Sequence, residues 1–440
     1  MRNLKDLNHA TYVIDNVTVV DPVSDRVFPG HVGVDEGRVA YVEEGPAPDG
    51  GDKQVYDGEG LHLAPGFVDI HVHLREPGQE YKETVATGSR AAAAGGFTSI
   101  ACMPNTKPAL DERSVIEYIL AQARIAGLAK VYPIAAATRG RKGEILSEYV
   151  DLVDAGAVAV SDDGSPVATA DMVRRVLEYS TIAGVPLIEH CEDMSATGEG
   201  IMNEGYYSTL YGMKGAPAHS ETLGLARDLV VLESVPGARL HAAHMSARTS
   251  VDQLRWAKAR GLAVTAETAP HYLCLTDADL ETYNTCLKIN PPLRGAEDRD
   301  ALIAALVDGT IDCIASDHAP HALQEKEVEF EAAPPGSVGL ETTLGLIITH
   351  LVEPGHLSLS RAIALIANKP AGCIGLSAGT LETNAAADLV LFDPAEEWTV
   401  DADGLHSKSK NSAFHGHTLR GRVQHTILDG RRVSPVAAAT

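Results

Sequence analysis

The stretch DIHVHLREPG places two histidines, His71 and His73, two positions apart. Residues at that spacing share one face of a strand. Both imidazoles therefore project to one side and form a ready chelate for Zn²⁺ or a similar ion. Four more apolar runs end in ligating residue types. AVAVSDDG supplies Asp162 or Asp163, VPLIEHCED supplies His190, ARLHAAHMS supplies His241 or His244, and TIDCIASDHAPH supplies Asp317 or His318. His241 and His244 are three apart, so at most one faces the interior of a regular strand, and His244, nearer the strand end, is favoured. Asp317 shares parity with Ala315 and Cys313, small residues suited to a crowded interior, which turns His318 the other way. Parity does not choose between Asp162 and Asp163. Four histidines and two aspartates suffice for two metal ions sharing a carboxylate and a hydroxide. Such a pair lowers the pKa of bridging water and polarises a carbonyl. An aspartate beside it can take a proton from the water and hand it to a leaving nitrogen. The chemistry indicated is hydrolysis, or its reverse, at an amide-like C–N bond.

Further polar residues stand close to these strand ends. Arg75 follows the histidine pair and can grip a carboxylate through two parallel hydrogen bonds. Asn105 lies in CMPNTKP, Asn290 in KINPPLR, and His321 four residues beyond Asp317. Ringed about one mouth, these groups suit a small, anionic, amide-rich ligand.

The elements that must position these residues are legible from periodicity. Across residues 63–375 short apolar runs alternate with helical stretches: FVDIHVHL then YKETVATGSRAAAAGG, FTSIACMP then ERSVIEYILAQARIAG. Strand–helix alternation implies parallel strands joined by right-handed crossovers. About eight such strands over about 310 residues fit a (β/α)8 TIM-type barrel, whose chemistry sits at the C-terminal ends of its strands. An open doubly wound sheet is the alternative, but no G-x-G-x-x-G follows the first strand. The two ends, 1–62 and 376–440, alternate polar and apolar residues between turn signals, as in YVIDNVTVV and VQHTILDGRRV. They are expected to pair into one small β-sandwich domain.

Composition sets the outer limits. The 440 residues carry a net charge of −24, with 45% apolar and 22% charged residues, which suits a folded globular chain rather than a disordered one. There is no long basic run, and an acidic surface repels phosphate backbones, so nucleic acid is excluded as a partner class. The six cysteines are scattered without a C-x-x-C pair, which suits a reducing cytoplasm better than a disulfide framework. The N-terminus lacks a signal-peptide apolar stretch, and no apolar run reaches membrane-spanning length. Among 18 histidines, five fall at the positions named for metal or substrate.

The strings GFVDIHVHLREPGQEYKET, GGFTSIACMPNTKP, SDDG, EHCED, AETAPHYL, KINPPLR, SDHAPH and GLET resemble the dihydroorotase family of the amidohydrolase superfamily, over residues 66 to 342. The first string alone is shared with allantoinases and related cyclic amidases; MPNTKP with NPPLR is more specific. The resemblance implies reversible cyclisation of N-carbamoyl-L-aspartate to L-dihydroorotate in pyrimidine synthesis, on a pair of zinc ions. It implies that His71 and His73 ligate one ion and His190 and His244 the other, and that Asp317 is the metal-bound acid/base. It also implies that Arg75, Asn105, Asn290 and His321 hold the substrate's carboxylate and ring amides. Many members bridge the ions with a carboxylated lysine, but no lysine occurs between Lys142 and Lys214. The Asp-bridged bacterial branch fits instead, and its spacing points to Asp163 over Asp162. Many relatives carry a Pro-Phe-Gly loop before GLET; here the chain reads APPGSVGLET, so Pro335 and Gly336 would offer main-chain contacts only. The family also includes homodimers and complexes with aspartate transcarbamoylase, although these residues specify neither. The competing expectations are another cyclic amidase and a non-catalytic homologue serving as a scaffold.

Overall fold

The structure is a computed structural model, and it describes residues 1–7, 11–48 and 54–434. Residues 8–10, 49–53 and 435–440 of the expected end domain lie outside the described residues. Eight parallel strands follow one another in chain order around the central sheet. They are β1 (Phe67–Val72), β2 (Phe97–Cys102), β3 (Lys130–Ala136), β4 (Ala159–Ser161), β5 (Leu187–Glu189), β6 (Leu240–Ala242), β7 (Val264–Thr268) and β8 (Cys313–Ile314). The ring closes where Val72 bridges His318 in parallel and the His73 amide donates to the His318 carbonyl at 2.8 Å. The sheet is thus a nearly closed parallel barrel.

Its strands are short apolar runs because both faces are covered. Val68, Ile70, Ala101, Ile134, Ala159, Ile188, Cys313 and Ala315 fill the interior. Phe67, Val72, Phe97, Ile100, Val131 and Val160 face the surrounding helices. Those helices start and stop on local signals. The helix Ala170–Ala183, for example, opens on the Thr169 side chain, which accepts from the Met172 amide, and ends at Gly184 with φ 76°, the left-handed cap a glycine adopts without strain.

Both ends of the chain enter one nine-stranded sheet. His62–Pro65 pairs antiparallel with Leu389–Thr399, joining N-terminal strands to C-terminal ones. The expected sandwich is therefore continuous in its hydrogen bonding, and it encloses its own core of Leu4, Tyr12, Ile14, Val19, Val32, Tyr56, Leu389 and Ile427. Among the described residues no helix is long and apolar enough to cross a membrane.

Two departures from regular strands aim the chemistry. In β1, Val68 and Ile70 point inward whereas Val72 packs outward, and the pairing register with β2 slips between Asp69 and Val72. This irregularity turns His71 and His73 into the barrel mouth. After β6, His244 adopts φ 34°, breaking the alternation that placed His241 and Ala243 on the inner face. Both His241 and His244 consequently face inward, where a regular strand would have admitted one.

Candidate metal centre

The Asp163 carboxylate lies between two histidine pairs. Its Oδ1 is 3.5 Å from His71 Nε2, 3.4 Å from His244 Nε2 and 3.8 Å from His190 Nδ1, and its Oδ2 is 3.7 Å from His73 Nε2. Two ligand groups share it: His71, His73 and Asp163 form one, Asp163, His190 and His244 the other. Asp162 turns away, accepting from the Thr138 amide at 3.0 Å and from its hydroxyl. Asp317, at φ 46°, sets its Oδ1 3.2 Å from His73 Nε2 and 3.7 Å from His71 Nε2. His318 points out of the mouth, its ring 3.4 Å from Glu83.

This donor set fits divalent metal. His71 Nε2 and Asp163 Oδ1 are buried without a hydrogen-bond partner, and a buried polar atom left so is costly unless something coordinates it. The outer nitrogens are already engaged. His71 Nδ1 meets Glu267 Oε1 at 2.6 Å, His73 Nδ1 meets Asn105 Oδ1 at 2.9 Å, and His190 Nε2 meets Glu192 Oε2 at 2.9 Å. Each contact fixes which nitrogen is left to face the centre, as outer partners of ligating histidines do. Burial raises the Asp163 carboxyl, but His71 and His244 outweigh it and hold the group well below its usual range. The carboxylate is thus ionised, the form that ligates metal.

Above the centre, a cavity of about 190 Å³ is lined by His73, Asp163, His190, His244 and Asp317 together with all six expected substrate-side residues: Arg75, Asn105, Asn290, His321, Pro335 and Gly336. Arg75, at φ 64°, donates its Nε to the Pro320 carbonyl at 3.1 Å. Its Nη2 comes 3.4 Å from His321 Nε2, and the guanidinium lines the cavity. The His321 ring lies between the Pro335 carbonyl, 2.9 Å from Nε2, and Lys82 Nζ, 3.2 Å from Nδ1. Burial and the cations Arg75, Lys82 and Lys326 push His321 down to about 2. It is therefore a neutral imidazole that donates to Pro335 and accepts from Lys82. The Gly336 amide is taken by the Lys288 carbonyl at 2.8 Å, so this amide is already paired. A Cβ on Gly336 would stand 2.8 Å from that of Ala319, and its φ of 136° also requires glycine.

The chain resembles known proteins over nearly its whole length. Residues 60–250 match the family model described as dihydro-orotase-like. A dihydroorotase of Citrifermentans bemidjiense is 49% identical over 416 residues, covering 94% of this chain and 97% of that one. A dihydroorotase of Acetivibrio thermocellus is 47% identical over 417 residues, again covering 94% and 97%. The chain belongs to the dihydroorotase family. Among solved structures, the L-hydantoinase (dihydropyrimidinase) of Arthrobacter aurescens superposes with a TM-score of 0.85 at 26% identity over 96% of each chain. The dihydropyrimidinase of Brevibacillus agri NCHU1002, at 22% identity and a TM-score of 0.80, shares the fold.

Several residues of this dihydroorotase-family site escaped the reading by strand ends. Glu267 and Glu192 act on the histidines from outside the ligand set. An acid inside the apolar run LAVTAET, and another two positions after His190, were the available signals. Asp69 staples the ends of β1 and β8, accepting from the His71 amide at 3.0 Å and the Ser316 amide at 3.1 Å. Arg141 donates to the Asp163 carbonyl at 2.6 Å and to Ser165 Oγ at 2.9 Å, fixing the SDDG turn. Asn411 comes from the far end of the chain. Its Oδ1 accepts from the His321 amide at 3.0 Å, and its Nδ2 donates to the Ala319 carbonyl at 3.1 Å and the Gly336 carbonyl at 3.0 Å. One side chain thereby ties both loops of the mouth together.

Proposed function

We propose that the chain interconverts N-carbamoyl-L-aspartate and L-dihydroorotate, with residues 63–375 as the catalytic unit. The observation that carries this reading is one small cavity lined by the Arg75 guanidinium together with the Asp163 and Asp317 carboxylates. A cyclic ureide bearing a carboxylate matches both.

His71, His73, His190, His244 and Asp163 would hold two zinc ions, with Asp317 as a further ligand. Ions bound there would acidify a water and polarise the scissile carbonyl. Arg75 binds the substrate carboxylate as a two-pronged donor. Asn290 offers an uncharged hydrogen-bonding group to the ring amide, and neutral His321, held between Pro335 and Lys82, lines the pocket beside Arg75. Asn105 acts chiefly by orienting His73. In ring opening, Asp317 takes a proton at its carboxylate from the attacking water and delivers it to the departing ring nitrogen, so the C–N bond breaks without expelling an amide anion. In ring closure the same proton moves in reverse and water leaves.

A side-by-side assay tests this reading. Metal-loaded protein is offered carbamoyl aspartate, dihydroorotate, allantoin and hydantoin, with metal content measured on the same sample. Turnover of the first pair is expected. Faster turnover of allantoin or hydantoin would replace this reading with another cyclic amidase, and inertness toward all four would replace it with a non-catalytic role.

A further inference from the structure

On the side of Glu267 away from the mouth, the barrel interior holds a second group of ligating side chains. His241 reaches in from β6, Glu267 from β7 and Cys313 from β8, all buried, and one donor atom of each lies within 4.8 Å of the others. The fourth member is Cys373, on the helix Asn368–Ile374, whose Ala371 and Ile374 complete the interior core beside Val68 and Cys313. Cys373 Sγ stands 3.8 Å from Cys313 Sγ, and its thiol acts electrostatically on the His241 ring. The proposed reaction uses neither cysteine, nor His241.

The spacing is that of a coordination shell. Ligands about 2.0–2.3 Å from a tetrahedral centre stand about 3.3–3.8 Å from one another. The two sulfurs are 3.8 Å apart, and His241 Nε2 is 3.2 Å from Glu267 Oε2. A disulfide would need the sulfurs at about 2.05 Å. His241 Nδ1 is taken by Thr265 Oγ1 at 2.7 Å, which leaves Nε2 for the centre. Two thiols, an imidazole and a carboxylate crowd together among Val68, Ile70 and Ile188. Glu267 already meets His71 and His241, and the two thiols, once ionised in this apolar interior, would need a compensating cation. Cys373 is half-buried, unlike Cys313.

We propose that Cys313, Cys373, His241 and Glu267 form a metal site separate from the mouth, suited to a thiophilic divalent cation of the zinc type. It would fasten the helix Asn368–Ile374 to β8. Through the two oxygens of Glu267 it would also touch His71.

Cobalt provides the test, because the mouth offers only imidazole and carboxylate ligands. Fully reduced protein is stripped with chelator and reloaded with Co²⁺. A near-ultraviolet thiolate-to-cobalt charge-transfer band is expected, saturating with one ion per chain and lost in Cys373→Ser and Cys313→Ser. Zinc content should fall by one ion per chain in Cys373→Ser. Absence of the band from reduced, cobalt-loaded wild type overturns the proposal without relying on any variant's folding. So does a count of four rather than six thiols in unreduced, unfolded protein, which would make the pair a disulfide. The band depends neither on substrate nor on how many ions the mouth takes, so its failure and that of the catalytic reading are distinguishable.

Discussion

Glu267 Oε1 sits 2.6 Å from His71 Nδ1, with both side chains buried in the barrel interior. The contact joins β7 to the end of β1 and aims His71 Nε2 at Asp163. Glu267→Gln keeps the shape and removes the charge, so the imidazole loses its tautomer control and some of its basicity. Metal affinity should fall about 10- to 100-fold, read by competition with a chelator. Unchanged affinity would show that His71 is held by packing alone.

Asp317 and Asp163 should respond differently to substitution. Asp317→Asn leaves the histidines and the Asp163 bridge in place. Metal content should persist while turnover falls about 10²- to 10⁴-fold, the contribution of a positioned proton carrier. Asp163→Ala removes the carboxylate shared by both ligand groups and should lower occupancy itself. Asp162→Ala breaks contacts to Thr138 and should cost stability more than metal. Metal analysis beside steady-state rates separates the three, and a larger metal loss in Asp162→Ala would reverse the assignment.

Much of this site was legible because a barrel imposes rules on sequence. Apolar runs alternating with amphipathic stretches announce parallel strands, and His or Asp at the ends of five of them announces a mouth. Backbone irregularity was not legible. The slipped register at Asp69–Val72 and φ 34° at His244 depend on how neighbouring strands pack, so side-chain parity counted along the chain misjudged His241. The charge partners were hidden for a related reason. Glu267 and Glu192 look like stray acids until the fold brings histidine nitrogens to them. Asn411 was hidden most deeply, since it belongs to a segment expected to serve only the end sheet.

Asn411 should prove a positioning residue for the mouth. Its amide accepts from the His321 amide and donates to the carbonyls of Ala319 and Gly336, so Asn411→Ala leaves three buried main-chain groups without partners. A stability loss of about 1–3 kcal/mol per unsatisfied group bounds the cost. The functional signature is a split: KM for dihydroorotate should rise several-fold while metal content holds and kcat changes less. A loss of kcat with KM unchanged would place Asn411 in general stability rather than in loop placement.

Proton competition should shape metal binding. Burial lowers His71, but Asp163 and Glu267 overcome it and draw the imidazole well above its ordinary 6.5. His190 is likewise raised against burial, by Glu192 and Asp163. His71 therefore carries a proton at neutral pH that an incoming cation must displace, and His190 holds one to higher pH than a free imidazole does, since only the neutral ring ligates. Asp163 and Asp317 are shifted downward, remain ionised throughout, and add no pH dependence near neutrality. The sign follows: affinity weakens as pH falls, by about tenfold per pH unit for each proton displaced. Chelator competition between about pH 6 and 8, or titration calorimetry in buffers of different ionisation heat, measures the number of protons released. At least one per chain is expected. Glu267→Gln should flatten the slope as well as weaken binding, because the charge that raises His71 has gone. A pH-independent affinity in the parent protein would mean that His71 reaches the metal already neutral.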